Sequence, residues 1–349
     1  MKTLCSSSSS STPASAVASS QLFDDFKPYP VPLAMNSVSS LKDRDVAPHL
    51  ALIAVQVIFG SWPIFGKIVL RSISSTSLVG FRIIGATIIF AFLHRQAGQL
   101  RKLPARTLGS LLLCSLLGVV FNQLIFVKGL SLTTVINATL ITTTIPVFTL
   151  AISIMLGHDR ASWRHILGIA LAAAGVAYLV DPFRATFSAE TTVGNLLIVV
   201  NSLSYGAYIA LSRDLVKRYG ALNVITWLFI IGTIVTLPIT IYSWSSIHIE
   251  QVPLSVWLTL VYIIIVPTVG AYYLNAWALM RVSPGVVAIY IYLQPLMAFG
   301  LAPLVLGESL NSRTIVACVL IFAGVAVVTV FGRSRAVEEV SEHPEALAH

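Results

Sequence analysis

Apolar residues run along this chain in long unbroken blocks, parted by short pieces that hold most of the charge. Ten such blocks lie at about 49–70, 76–94, 106–127, 133–157, 163–180, 192–212, 222–243, 254–276, 283–306 and 312–331. An apolar stretch of roughly 17–25 residues is long enough to cross a bilayer as a helix. The alternation of apolar and polar residues that marks a barrel strand is missing. The pattern therefore predicts an all-α integral membrane protein with ten transmembrane helices.

The blocks also repeat. Residues from about Gly118 to Asp181 lie over Pro267 to Val330 at a constant offset of 149, without a gap. Pro146 then meets Pro295, Leu130 meets Leu279, Gly175 meets Gly324 and Asp159 meets Glu308. The earlier parts align at an offset of 146, which sets Phe59–Trp62 on Tyr205–Tyr208 and Lys67 on Arg213. Each copy holds five spans. Because five is odd, the second copy enters the membrane upside down, giving two inverted five-helix repeats over 47–182 and 190–331. Such proteins place a solute site near the midplane between the halves and exchange their conformations to open it to either side.

Composition agrees with this reading: 56% of the 349 residues are hydrophobic and only 10% charged, against about 25% charged in a soluble domain. The net charge is +8, and its placement sets orientation. Arg95, Arg101, Lys102, Arg106, Arg160, Arg164, Arg213, Lys217, Arg218 and Arg281, with Lys42, Arg44, Arg333 and Arg335 in the flanks, give 14 cations on one side. Arg71, Lys128, Arg184 and Arg313 give 4 on the other. The excess of cations marks the cytoplasmic side, so both termini are expected there. The basic charge orients the chain in a lipid bilayer and calls for no nucleic acid. Residues 1–46, with a Ser run at Ser6–Ser11 and Pro28, Pro30 and Pro32, read as a disordered tail. That tail is either a cytoplasmic extension or an organellar transit peptide, and Met35 is an alternative start. Residues 332–349 read as a second polar tail. A multi-pass protein of the cell membrane is expected, or of an organellar membrane if the Ser-rich start is a transit peptide.

The connections leave no room for a soluble catalytic domain, and no GxxxxGK[ST] loop exists to bind ATP. HExxH, GxSG and an acid pair within a span are absent too, so no enzyme, metal or cofactor is expected. Cys5, Cys114 and Cys318 have no metal-binding spacing.

Local patterns resemble the drug/metabolite transporter superfamily, EamA type, across roughly 49–331. They are Phe59-Gly60-Ser61-Trp62-Pro63-Ile64-Phe65-Gly66-Lys67 in the first span, Phe81-Arg82 in the second, a mid-helix proline in the fourth and ninth (Pro146, Pro295), and Leu306-Gly307-Glu308 at the end of the ninth. The first copy departs from that ending, with Gly157-His158-Asp159. The resemblance implies export of small metabolites, most often amino acids or related compounds, with transporters of phosphorylated sugars or nucleotide sugars as the alternative within the superfamily.

Several side chains are candidates for the solute site. Arg82 lies about six residues into its span, roughly 9 Å deep at 1.5 Å per residue. A charge at the membrane centre costs about 2.5–3.5 kcal/mol, so Arg82 should face protein or water. It either holds a substrate carboxylate through its planar fork or serves as a structural tie. The polar set within the spans is Gln56, Asn122, Gln123, Asn137, Asn201, Asn275 and Gln294, with Thr142-Thr143-Thr144. Among the aromatics, Trp62, Tyr205, Tyr208, Tyr290 and Tyr292 are candidates for lining, and Tyr272, Tyr273 and Trp277 belong to the same group. Trp62, Arg82, Asn122, Asn137, Tyr205, Tyr208, Asn275, Tyr290, Tyr292 and Gln294 are taken as candidate substrate contacts.

Pro146 and Pro295 are candidate gating bends, since a proline lacks the N–H and frees the carbonyl four residues back. Lys67 and Glu308 are secondary candidates. Snorkelling also explains Lys67, and capping of a helix start also explains Glu308 and Asp159. Gly168, Ala172, Gly175, Ala317 and Gly324 suit close helix packing, inside the chain or against a second copy in a homodimer.

Overall fold

The computed structural model describes residues 46–96, 107–156, 163–180, 189–245, 247, 249–282, 284–309, 311–324 and 327. The expected tails and Asp159, with its Gly157-His158 neighbours, lie outside them. All regular structure in these residues is helical. Eight helices are long and apolar enough to cross a membrane: α1 (Ala47–Val69), α2 (Ser75–Gln96), α3 (Leu108–Leu132), α4 (Val135–Met155), α6 (Glu190–Tyr219), α7 (Ala221–Trp244), α8 (Leu254–Leu279) and α9 (Pro284–Leu306). Two further helices, α5 (Trp163–Val180) and the shorter apolar α10 (Ser312–Gly324), stand where the fifth and tenth blocks fall. Ile88, Phe92, Ile234, Tyr242 and Leu304 are exposed, an apolar exterior suited to lipid tails.

The helices pack in mated pairs. The contact of α1 with α9 is matched by α6 with α4, and that of α1 with α8 by α6 with α3. Glycines show how literal the match is. A Cβ on Gly60 would stand 3.1 Å from the Gln294 carbonyl oxygen, and a Cβ on Gly206 would stand 3.1 Å from that of Ile145. Both pairs are repeat mates, at offsets of 146 and 149.

The mated helices α1 and α6 also run in opposite directions. At one end of α3, Gly129 packs on Gly194 and Thr133 Oγ1 donates to Asn195 Oδ1 at 2.5 Å, near the start of α6. At its other end the Thr107 and Tyr219 hydroxyls meet at 3.1 Å, where α6 finishes. Lys67, near the end of α1, shares a cavity with Ser131 at the end of α3. Thus α1 and α6 end at opposite faces of the bundle.

The expected proline kinks take another form. Helix α4 breaks at Thr142–Thr144, where Thr143 N donates to Leu140 O and Thr144 N to Ile141 O, three residues back. A new helical segment starts at Ile145 with Pro146 in its first turn. Helix α9 breaks likewise through a 3₁₀ turn at Tyr290–Leu293, and its second segment starts at Gln294 with Pro295 in its first turn. The first turn is where a proline's missing N–H leaves no bond unmade. The prolines therefore start half-helices; they do not bend continuous ones.

Two π-helical segments have no signal in the apolar pattern, Leu116–Val120 in α3 and Ile264–Gly270 in α8. They fall at mated positions of the repeat. Pro267, inside the second, cannot donate to the α-ladder and favours the slip in register. In the first, the Tyr208 ring presses on Gly118, where a Cβ would lie 2.4 Å from the ring.

The small-residue stripe is used within the chain. A Cβ on Gly175 of α5 would meet Ile321 of α10 at 2.7 Å, so this face already has an internal partner.

Candidate functional site

Between the two halves, at the level of the helix breaks, lies a cavity of about 60 Å³. Its wall is made by Phe59 and Trp62 of α1, Arg82 of α2, Asn122, Gln123 and Phe126 of α3, Thr142 and Ile145 of α4, Asn201 and Tyr205 of α6, Tyr272 of α8 and Gln294 of α9. Six of the eight long helices thus supply polar groups to one small space, and Arg82 is its single charge among the described residues.

Arg82 is held from two sides. Its Nε donates to Thr268 Oγ1 at 3.0 Å, and its guanidinium lies 4.0 Å over the Trp62 ring. Thr268 in turn donates to Ile263 O at 2.7 Å, five residues back, a bond that the π segment makes available. The Arg82 side chain is 3% exposed, yet its terminal amino groups make no hydrogen bond to a described residue and border the cavity. Burying an unpaired cation is costly, so this arrangement suits an anionic group that completes the pairing.

Gln123 adds a second open valence. Neither of its amide atoms has a hydrogen bond of acceptable geometry to a described residue, although the Tyr272 hydroxyl lies close. The other polar groups are tied together. Tyr272 donates to Asn122 Oδ1 at 2.9 Å, and Asn122 Nδ2 donates to Asn201 Oδ1 at 3.2 Å. Tyr205 takes a bond from Asn275 Nδ2 at 3.3 Å, which places Asn275 behind the wall. On one side the cavity is shut by Gln294 Nε2, which donates to Gln56 Oε1 at 2.6 Å, and by the tight Gly60–Gln294 contact.

Of the expected contacts, Trp62, Arg82, Asn122, Tyr205 and Gln294 line the cavity. Tyr208 stands behind Tyr205, their ring centroids 5.5 Å apart. Asn137 lies in the first turn of α4, its N–H bonded to Thr134 Oγ1. Tyr290 meets His49 Nδ1 at 2.7 Å, towards the start of α1, and Tyr292 packs on Phe322. Phe59, Phe126 and Ile145 joined the wall without a sequence signal, as did Thr268 behind it.

A second, more open cavity of about 340 Å³ lies at the end of α1, lined by Lys67, Leu70, Arg71, Ser131, Leu306 and Glu308. Glu308 does cap a helix start, but that of α4 in the other half: its two oxygens accept from Val135 N at 2.7 Å and Ile136 N at 3.0 Å. Asn311 caps α10 in its place, accepting from Thr314 N.

A polar cavity with one cation, lying between mated helix bundles in an apolar exterior, defines a membrane transport protein. Residues 47–180 and 192–330 each match the EamA-like transporter family, and the chain belongs to it. An uncharacterized transporter of Archaeoglobus fulgidus is 26% identical over 283 residues, covering 80% of this chain and 96% of that one. A WAT1-related protein of Arabidopsis thaliana is 24% identical over 85% of this chain and 86% of its own. A probable terminal-alkyne amino-acid exporter of Streptantibioticus cattleyicolor is 25% identical, over 74% and 86%. A crystal structure of a protein 18% identical shares the fold, with a TM-score of 0.61 over 82% of this chain and 99% of that one. The chain is thus a multi-pass membrane transporter, not an enzyme.

Proposed function

We propose that this protein moves small metabolites, such as amino acids or related solutes, out of the cytoplasm across the cell membrane by alternating access. Ten spans in two inverted repeats, with both termini cytoplasmic, are the architecture on which this rests. The observation that carries it is Arg82, a buried cation that borders a polar cavity between the halves. A solute carboxylate on Arg82 gives that cation the partner it lacks. The amino-acid exporter among the relatives supports the same class. Sugar phosphates and nucleotide sugars fit less well, since a doubly charged group calls for more than the single cation of this cavity.

The test is solute flux from liposomes carrying the protein and a mixed load of amino acids and small amines, read by mass spectrometry beside Arg82→Ala. Release of one solute class that is lost in the variant is expected. Release that survives the change reduces Arg82 to a scaffold residue, and no release of any solute removes the reading.

A further inference from the structure

The 340 Å³ cavity at the end of α1 is built around Lys67 and Arg71, one helical turn apart. Lys67 is half-buried and Arg71 exposed. The mates of these positions in the second half, 146 residues on, are Arg213 and Lys217 of α6. Arg213 is half-buried and Lys217 exposed, so the pair recurs in charge, spacing and burial. Arg213 Nε is also buried without a hydrogen-bond partner among the described residues. Because α1 and α6 end at opposite faces, one pair stands at each face of the bundle.

Orientation by charge explains only one of these pairs. The cytoplasmic excess of cations accounts for Arg213 and Lys217, but it disfavours Lys67 and Arg71 at the opposite face. Snorkelling places a single long side chain at a boundary and does not require two cations in one concave space. The acid of the Lys67 cavity, Glu308, accepts from the N–H groups of Val135 and Ile136 and also attracts Lys67, so the lining keeps a net single positive charge, which falls to Arg71. In a concave site with low-dielectric walls, a net charge of one sign focuses the field and concentrates a counter-ion. Among the described residues, the charge lining the inner cavity is again a cation, Arg82, and no carboxylate there stands ready for an ammonium group.

We infer that Lys67 with Arg71, and Arg213 with Lys217, are two anion-collecting mouths, one for each face, and that the solute carries a net single negative charge. The inference rests on the transport reading above and narrows it from amino acids in general to organic monocarboxylates without a balancing ammonium. One cation at the midplane matches one carboxylate. Asp214, exposed beside Arg213, is the acid adjoining the second mouth in the chain, and the basic pair outnumbers it.

The experiment uses the full chain in phosphatidylcholine liposomes, which have no net surface charge. Protein orientation is sorted by protease access to a terminal tag. Uptake of lactate, benzoate, alanine, glycerol phosphate and glycerol is compared for the wild type, Lys67→Gln/Arg71→Gln and Arg213→Gln/Lys217→Gln. Monodispersity in detergent shows that each variant is folded. Lactate or benzoate should be transported in preference to alanine. Each double variant should raise KM about tenfold, the low end of electrostatic focusing, for solute offered at its own face, with kcat kept. Added salt should raise the wild-type KM and leave that of the variants nearly flat. Alanine carried as well as lactate, with KM unmoved in folded variants, overturns the inference and leaves the transporter standing. Preference for glycerol phosphate overturns it as well, and no flux of any solute overturns both readings.

Discussion

Arg82 is fixed by a hydroxyl that belongs to a fault in another helix. Thr268 accepts from Arg82 Nε only because the π segment of α8 turns it inward and engages its proton on Ile263 O. Thr268→Val keeps the shape and removes the acceptor. A hydrogen bond to a charged group contributes about 1.5–3 kcal/mol, so solute affinity should fall by roughly ten- to a hundredfold in a flux assay while the protein stays monodisperse. Gln123 makes the opposite case. Its buried amide lacks partners, which costs about 1–3 kcal/mol, so Gln123→Met should raise the thermal midpoint in detergent and still weaken transport. A variant that is both less stable and fully active would remove Gln123 from the site. Arg82 and Gln294 were legible in the sequence because a polar side chain inside an apolar block needs a reason. Thr268 was not, because a threonine in a span is ordinary and the π slip that aims it leaves no periodic trace. Tyr290 and Tyr292 stand apart from the cavity for a related reason: they lie in a 3₁₀ turn, where Tyr290 meets His49 and Tyr292 packs on Phe322.

At the scale of helices, the closest approaches are made by glycines at mated positions. Gly60→Ala would set a Cβ 2.9 Å from Met297 Cβ and 3.1 Å from backbone atoms of Gln294, and those backbone atoms have nowhere to yield. Gly206→Ala would do the same against Ile145 O at 3.1 Å and Thr149 N at 3.0 Å. Overpacking of this kind costs about 1–3 kcal/mol, and each variant should unfold at a lower temperature than wild type. Each should also slow transport, because α1 against α9 and α6 against α4 close the sides of the cavity. A variant of either kind with wild-type flux would show that these contacts are not remade in the cycle. The eight long apolar helices were legible from hydropathy, since an apolar block has few other uses, but α3 runs on to Leu132 and α6 to Tyr219, past their expected ends at 127 and 212. The breaks were only half legible. Pro146 and Pro295 announced them, but whether a proline bends a helix or begins one depends on the turn before it, and there Thr143 and Thr144 tighten to bonds three residues back.

For the whole molecule, an odd number of expected spans in each copy implies inversion, and the contacts run α1 and α6 in opposed directions. What the repeat did not foretell is where the halves are unequal. Gln294, which bonds Gln56, is matched by Ile145, which has no such bond to give, while Ser202, the mate of Gln56, reaches Ile141 O at 3.5 Å, so the two closures differ in their bonds. The structure has a 340 Å³ space at the Lys67 end and a close contact at Gln56–Gln294, and under the proposed alternating access it stands for one of two states. In the other state the mated contacts should exchange roles. Ser131 lines the open mouth, and its mate 149 residues on is Met280. With Cys5, Cys114 and Cys318 replaced, Ser131→Cys and Met280→Cys should react reciprocally with a membrane-impermeant maleimide applied from their respective faces. A transported solute in excess on one side shifts the population by its differential affinity for the two states, so labelling at one position should fall as it rises at the other. Two positions that gain or lose reactivity together would mean that both mouths open at once. That behaviour belongs to a channel, and it would set aside alternating access while keeping the solute site between the halves.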